Sequence, residues 1–170
     1  MVFIISQILG AIGYSLLAYS FYKKEKKKIL YIQILAYIGF TTHYALLKAL
    51  TGTVCNIIGF IALILIYFFS DDVAKKKKLV LVLIPLLIVM AFLSYENIFS
   101  IFPVVACLLS FNSFLSKDEN KIRFIGIISA SFWLIYAIIH VSYSAIIFEA
   151  ITVVSTIIAY LKNRKKDIKK

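Results

Sequence analysis

Acidic residues are scarce in this chain. Its 170 residues include 8 Asp and Glu against 19 Lys and Arg, a formal net charge of +11. In a soluble domain that imbalance points to nucleic acid. Here the positive residues sit in short runs between apolar stretches, and no aromatic-rich soluble module accompanies them. Nucleic acid is therefore not expected as a partner, and membrane orientation accounts for the charge. Cysteine is limited to Cys55 and Cys107, both within apolar stretches and without metal-ligand spacing. That excludes a disulfide framework and a cysteine-based metal site, so both read as small packing residues. The patterns G-x-S-x-G, H-E-x-x-H and the P-loop are all missing, so neither an enzyme nor a cofactor is expected. A basic segment at the start is also lacking. Residues 1–22 are apolar and the basic run 23–28 follows them, the reverse of a cleaved secretory signal.

Apolar residues are abundant instead. They make up 62% of the chain, with a mean hydropathy of +0.96, where soluble domains run at about 45–50%. Apolar segments follow one another with short gaps, at about residues 2–22, 29–47, 51–69, 79–94, 98–115, 122–140 and 143–161. Each approaches the ~20 residues that cross a bilayer as a helix. The expected fold is an all-α membrane protein with seven transmembrane helices. If the chain alternates sides at every segment, 18 of the 19 Lys and Arg fall on one face and only Lys48 on the other. The positive-inside rule makes the crowded face cytoplasmic, with the N-terminus outside and the C-terminus inside. The lysine runs could also bind anionic lipid headgroups.

The first three and last three segments share a plan, and an offset of 93 residues aligns them without a gap. Lys24 then falls on Lys117, Glu25 on Asp118, Lys28-Ile29 on Lys121-Ile122 and Tyr67 on Tyr160. Small residues repeat as well. Gly10, Gly13 and Ser20 match Pro103, Ala106 and Ser113, while Gly52, Asn56 and Gly59 match Ala145, Glu149 and Thr152. Small faces let membrane helices approach closely. The expected organisation is 3+1+3: a three-helix repeat over 1–70, a linker helix over 71–96, a second repeat over 97–162 and a basic tail over 163–170. Parallel repeats of this kind hold transporter sites near the midplane between them.

Glu149 is the one carboxylate inside the long apolar segments. A charge at that depth costs roughly 2.5–3.5 kcal/mol on translocon scales unless it is paired, protonated or facing water. The offset makes Asn56 its equivalent, so the two are expected to face each other across a central axis. There an amide and a carboxylate could bind hydroxyls, amines or a proton-coupled solute. Asn56 could instead make an interhelical hydrogen bond, and Glu149 could be protonated or paired with Lys48. His43 and Tyr136 are also equivalents, expected to gate the site or share a proton with Glu149, or else to form an interfacial aromatic belt. Trp133 falls opposite Phe40, either lining the cavity or packing. Tyr14, Tyr19, Gln33 and Asn112 are candidates for the cytoplasmic half, and His140 is expected at the outer surface. Pro103, with Gly10 in the matching place, is expected to mark a hinge. Pro85 in the linker has no counterpart.

Several stretches carry a resemblance: SQILGAIGYSLLAYSFYKKEKKKILYIQILA, HYALLKALTGTVCNII with His43 thirteen residues before Asn56, and WLIYAIIHVSYSAIIFEAI with Tyr136 thirteen before Glu149. Over nearly its whole length the chain resembles the YgjV-type bacterial inner membrane proteins. More distantly, it is similar to the PQ-loop and SWEET group of 3+1+3 transporters. That second likeness implies that Asn56 and Glu149 stand where the SWEET group has two substrate-facing asparagines. The Pro-Gln dipeptide is missing, since Val104 follows Pro103 and Gly10-Ala11 occupies the matching place. Together with Glu149 in an asparagine's place, this weighs against sugar and toward proton coupling. The expected function is a multi-pass inner membrane transporter of a small polar solute by alternating access. The alternative is a non-transporting receptor or scaffold with a ligand- or partner-binding interior. The expected partners are the lipid bilayer and the solute, with a homo-oligomer left open.

Overall fold

The computed structural model describes residues 1–20, 23, 25–69, 73–115 and 119–167. They form seven α-helices: α1 (Val2–Ser20), α2 (Lys26–Leu46), α3 (Leu50–Phe69), α4 (Val73–Leu93), α5 (Ile101–Leu115), α6 (Glu119–Ile139) and α7 (Tyr143–Asp167). A 3-10 turn at Ile98–Ser100 precedes α5, and no strand occurs among the described residues. Helices are the expected answer to this composition, because a helix satisfies its backbone polar groups within one apolar segment.

Several boundaries differ from the expected segments. Helix α4 begins at Val73 rather than at 79, taking in the four lysines 75–78, and α7 continues through the basic tail to Asp167. Lysine is a good helix former, and its long side chain can carry the charge away from apolar surroundings. Hydropathy thus marks where a helix becomes polar, not where it ends. Four helical segments among the described residues are long and apolar enough to cross a membrane: Val2–Ser20, Lys27–Leu46, Leu50–Phe68 and Lys121–Ile139. Ile98–Asn112 and Tyr143–Ile158 are shorter apolar helical segments. The alignments of Lys24 with Lys117 and of Glu25 with Asp118, and the tail beyond residue 167, lie outside the described residues.

Two tight turns join α2 to α3 and α6 to α7, and they are built alike. Among the described residues, Lys48 (φ 59°) and Val141 (φ 52°) are the two non-glycine residues in the left-handed region. In the first turn the Lys48 N–H donates to Ala45 O and the Ala49 N–H to Tyr44 O. In the second the Val141 N–H donates to Ile138 O and the Ser142 N–H to Ala137 O. This is the Schellman way of closing a helix C-terminus. Every residue in the first turn has its counterpart 93 positions later in the second. Glycine would be the usual choice, and a β-branched valine there is strained.

The helices close into a ring. Helix α2 lies between α1 and α3, α6 lies between α5 and α7, α1 packs against α7, and α3 packs against α5. Helix α4 packs against α3 and α5. The α1–α2 crossing is close because both helices present glycine: a Cβ built on Gly39 would lie 3.0 Å from the Gly13 Cα. Cys55 and Cys107 are buried free thiols where α3 meets α5, with Cys107 Sγ 3.9 Å from Cys55 O. The ring has two distinct ends. One carries the two Schellman turns and is called the turn end; the other adjoins the lysine-rich segments and is called the lysine end.

Candidate functional site

Near the turn end, buried polar side chains are paired with one another or with backbone. His43, fully buried on α2, places Nδ1 2.6 Å from Ser6 O on α1 and Nε2 2.6 Å from Ser142 Oγ at the start of α7. A carbonyl only accepts, so Nδ1 carries the proton and, in the neutral ring, Nε2 accepts from Ser142. Tyr136, fully buried on α6, accepts a hydrogen bond from the Gly52 N–H at the start of α3 (2.9 Å). Its ring lies where any Cβ on Gly52 would have to sit. The Thr51 hydroxyl donates to Ser94 O (2.6 Å), and Gln7 Oε1 accepts from the Ser144 N–H (3.1 Å). Each of these bonds joins different helices, so together they knit the turn end into one closed layer.

Below this layer lies a cavity of about 300 Å³ lined by residues of six helices, with no described residue of α4 among them. Asn56, Tyr44, Trp133 and Glu149 line it, and its walls run toward the lysine end as far as Gln33, Leu63, Ile125 and Gly126. The lining follows helical periodicity. Gln33, Tyr37, Phe40 and Tyr44 make one stripe on α2, while Gly126, Ser129, Ala130 and Trp133 make another on α6. These spacings of three and four residues place side chains on one helix face.

Several polar groups in the lining are already bonded. Ser129 Oγ donates to Ala106 O, Ser110 Oγ to Ala106 O, Thr152 Oγ1 to Phe148 O and Gln33 Nε2 to Ser20 Oγ. Three groups stand apart. Glu149 accepts one long hydrogen bond, from the Tyr14 hydroxyl to Oε1 at 3.5 Å, and has no cationic partner among the described residues. Asn56 donates Nδ2 to Gly52 O one turn back (2.8 Å), leaving Oδ1 without a donor among the described residues. The Tyr44 hydroxyl is buried with no hydrogen-bond partner among the described residues. A buried polar group left unpaired carries its desolvation cost of about 1–3 kcal/mol. The Tyr44 hydroxyl is such a group, and with the singly bonded Glu149 and Asn56 Oδ1 it leaves the cavity wall with unused hydrogen-bonding capacity.

Asn56, Glu149 and Trp133 therefore come together on the cavity wall, with Phe40, Tyr14 and Gln33. His43 and Tyr136 lie in the closed layer outside the lining. Tyr19 and Asn112 are exposed and take no part in it. His140 packs against Tyr136 with the rings tilted by 38° and their centroids 4.1 Å apart. Lys48 is exposed in its turn, and the nearest donor to Glu149 is Tyr14 instead. Gly10 packs against His43 and Ser144. Pro103 sits in the first turn of α5, where its missing N–H would have had no partner within the helix. It thus follows a change from 3-10 to α geometry instead of kinking the middle of a span. That start is capped by Asn97, whose Oδ1 accepts from the Phe99 N–H (2.9 Å). Tyr37, Tyr44, Ser129 and Gly126 were not foreseen as lining, although the α2 and α6 stripes could have revealed them.

No curated protein and no solved structure matches the chain. Residues 4–167 match the family model Imp-YgjV, described as "Bacterial inner membrane protein". That match covers nearly the whole chain, and the apolar helices suit the location it names. The chain belongs to the YgjV family of bacterial inner membrane proteins.

Proposed function

We propose that this inner membrane protein carries a small polar solute by alternating access, with the cavity between its two helix triplets as the solute site. In this reading all seven helices span the membrane in a 3+1+3 arrangement. The turn end faces outside and the lysine-rich end faces the cytoplasm. The observation that carries the reading is the asymmetry along the bundle. A hydrogen-bonded layer closes the turn end, while a carboxylate with one long hydrogen bond and an amide oxygen and a hydroxyl with none among the described residues line a cavity below it. A carrier caught with one gate shut has this form.

The 93-residue correspondence supports two related triplets. The contact of α1 with α7 maps onto that of α5 with α3 when the triplets are exchanged. His43 and Tyr136, 93 residues apart, each cross to the start of the last helix in the opposite triplet. Both crossing contacts must part for the turn end to open. This suits rocking of one triplet against the other. The reading involves no catalytic step.

Uptake by purified protein in proteoliposomes tests it. Glu149→Gln is expected to abolish solute flux or remove its pH dependence, and an unchanged rate and pH profile would sink the proposal. Should the protein bind a solute and yet support no flux, the receptor reading takes its place.

A further inference from the structure

We infer that the solute is a small organic cation, its charged nitrogen against the Glu149 carboxylate and its alkyl surface enclosed by the rings of Tyr14, Tyr37, Phe40, Tyr44 and Trp133. The inference rests on reading the cavity as a solute site. Four observations favour a cation over other solutes.

The first is charge. Glu149 supplies the only carboxylate among the described lining residues, and no described Lys, Arg or His joins it there. An ionised carboxylate inside a membrane protein needs a countercharge. The fold provides a phenol at 3.5 Å and no cation among the described residues. A cationic ligand completes the pair, whereas an anion would meet repulsion.

The second is the wall. Five of the lining residues are aromatic. Their rings are grouped, with centroids 4.6 Å apart for Tyr14 and Phe40, 5.6 Å for Tyr37 and Phe40, and 5.7 Å for Tyr44 and Trp133. The faces of aromatic rings carry partial negative charge and attract ammonium groups, most strongly where water is excluded. The third is the Tyr44 hydroxyl, buried in that wall and without a hydrogen-bond partner among the described residues. Its oxygen adds a further negative dipole end.

The fourth concerns the uncharged competitor. A polyol needs many hydrogen-bond partners, but Ser110, Ser129 and Thr152 are already bonded to backbone carbonyls. The cavity volume of about 300 Å³ lies at the small end of ligand pockets. The fitting class is an amine or quaternary ammonium of a few carbon atoms.

Trp133 is the chain's single tryptophan and lines the cavity, so its fluorescence reports occupancy directly. The full-length protein in detergent or nanodiscs is titrated with choline, with tetramethylammonium, with 3,3-dimethylbutan-1-ol (choline with carbon in place of the nitrogen) and with glucose. Choline is expected to change the emission saturably and to bind at least tenfold more tightly than its uncharged isostere. Glu149→Gln is expected to remove that preference. Gly126→Leu is expected to abolish the response by filling the cavity. A Cβ at Gly126 meets nothing within 4 Å, so the fold should tolerate the change, as circular dichroism would verify. Equal binding of choline and the isostere, or a choline response untouched by Glu149→Gln, overturns the inference. A glucose response lost in Gly126→Leu, with none to the cations, overturns the cation and leaves the solute-site reading standing. No response to any of the four probes also overturns the inference, and the uptake assay then decides the solute-site reading separately.

Discussion

The two ends of this bundle treat buried polar groups in opposite ways. Near the turn end, His43, Tyr136 and Thr51 are buried and bonded across helices. In the cavity below, among the described residues, Glu149 has a single weak donor, while Asn56 Oδ1 and the Tyr44 hydroxyl have none. Tyrosine occurs in both places, Tyr136 bonded and Tyr44 not, so residue type alone does not distinguish a seal from a site. Satisfaction does. A bonded polar group holds helices together, whereas an unbonded one stays only where a ligand or water can reach it, or at a cost in stability.

Substitutions should break this contrast in a graded way, read as unfolding free energies in detergent micelles. The largest effect is expected for His43→Ala. It removes two interhelical bonds and leaves a hole in a fully buried layer, and should destabilise by about 3–5 kcal/mol. Tyr136→Phe keeps the ring but leaves the Gly52 N–H without its acceptor, for a loss of about 1–3 kcal/mol. Val141→Gly relieves the left-handed strain in the second turn and should stabilise by about 1 kcal/mol. Tyr44→Phe should change stability least, by less than about 0.5 kcal/mol or with a slight gain, because the hydroxyl it removes has no partner. The two tyrosine-to-phenylalanine substitutions form the sharpest pair. Equal losses at Tyr44 and Tyr136 would erase the distinction between seal and site.

Much of the helical layout was legible in the chain itself. Long apolar segments matched the helix count, whereas the like construction of the Lys48 and Val141 caps, whose turn residues share no identity, appears only in the structure. Helix ends were less legible. Hydropathy falls before helicity does, so α4 and α7 extend into lysine-rich sequence. The site was half legible. Glu149 and Asn56 stood out as polar residues in apolar surroundings, and both line the cavity. His43 stood out for the same reason, yet it lies in the closed layer. Tyr44 and Tyr37 were hidden because an aromatic residue in a membrane helix looks like packing until its neighbours are known.

The sequence by itself determined a helical membrane protein with its charge gathered between apolar helices and one acid set within them, because composition and period act locally along the chain. Only the tertiary structure decided which polar groups became bonds and which were left facing a cavity. That outcome depends on partners brought together from helices distant in sequence. Ser6 and Ser142 reach His43, while no cation reaches Glu149 among the described residues.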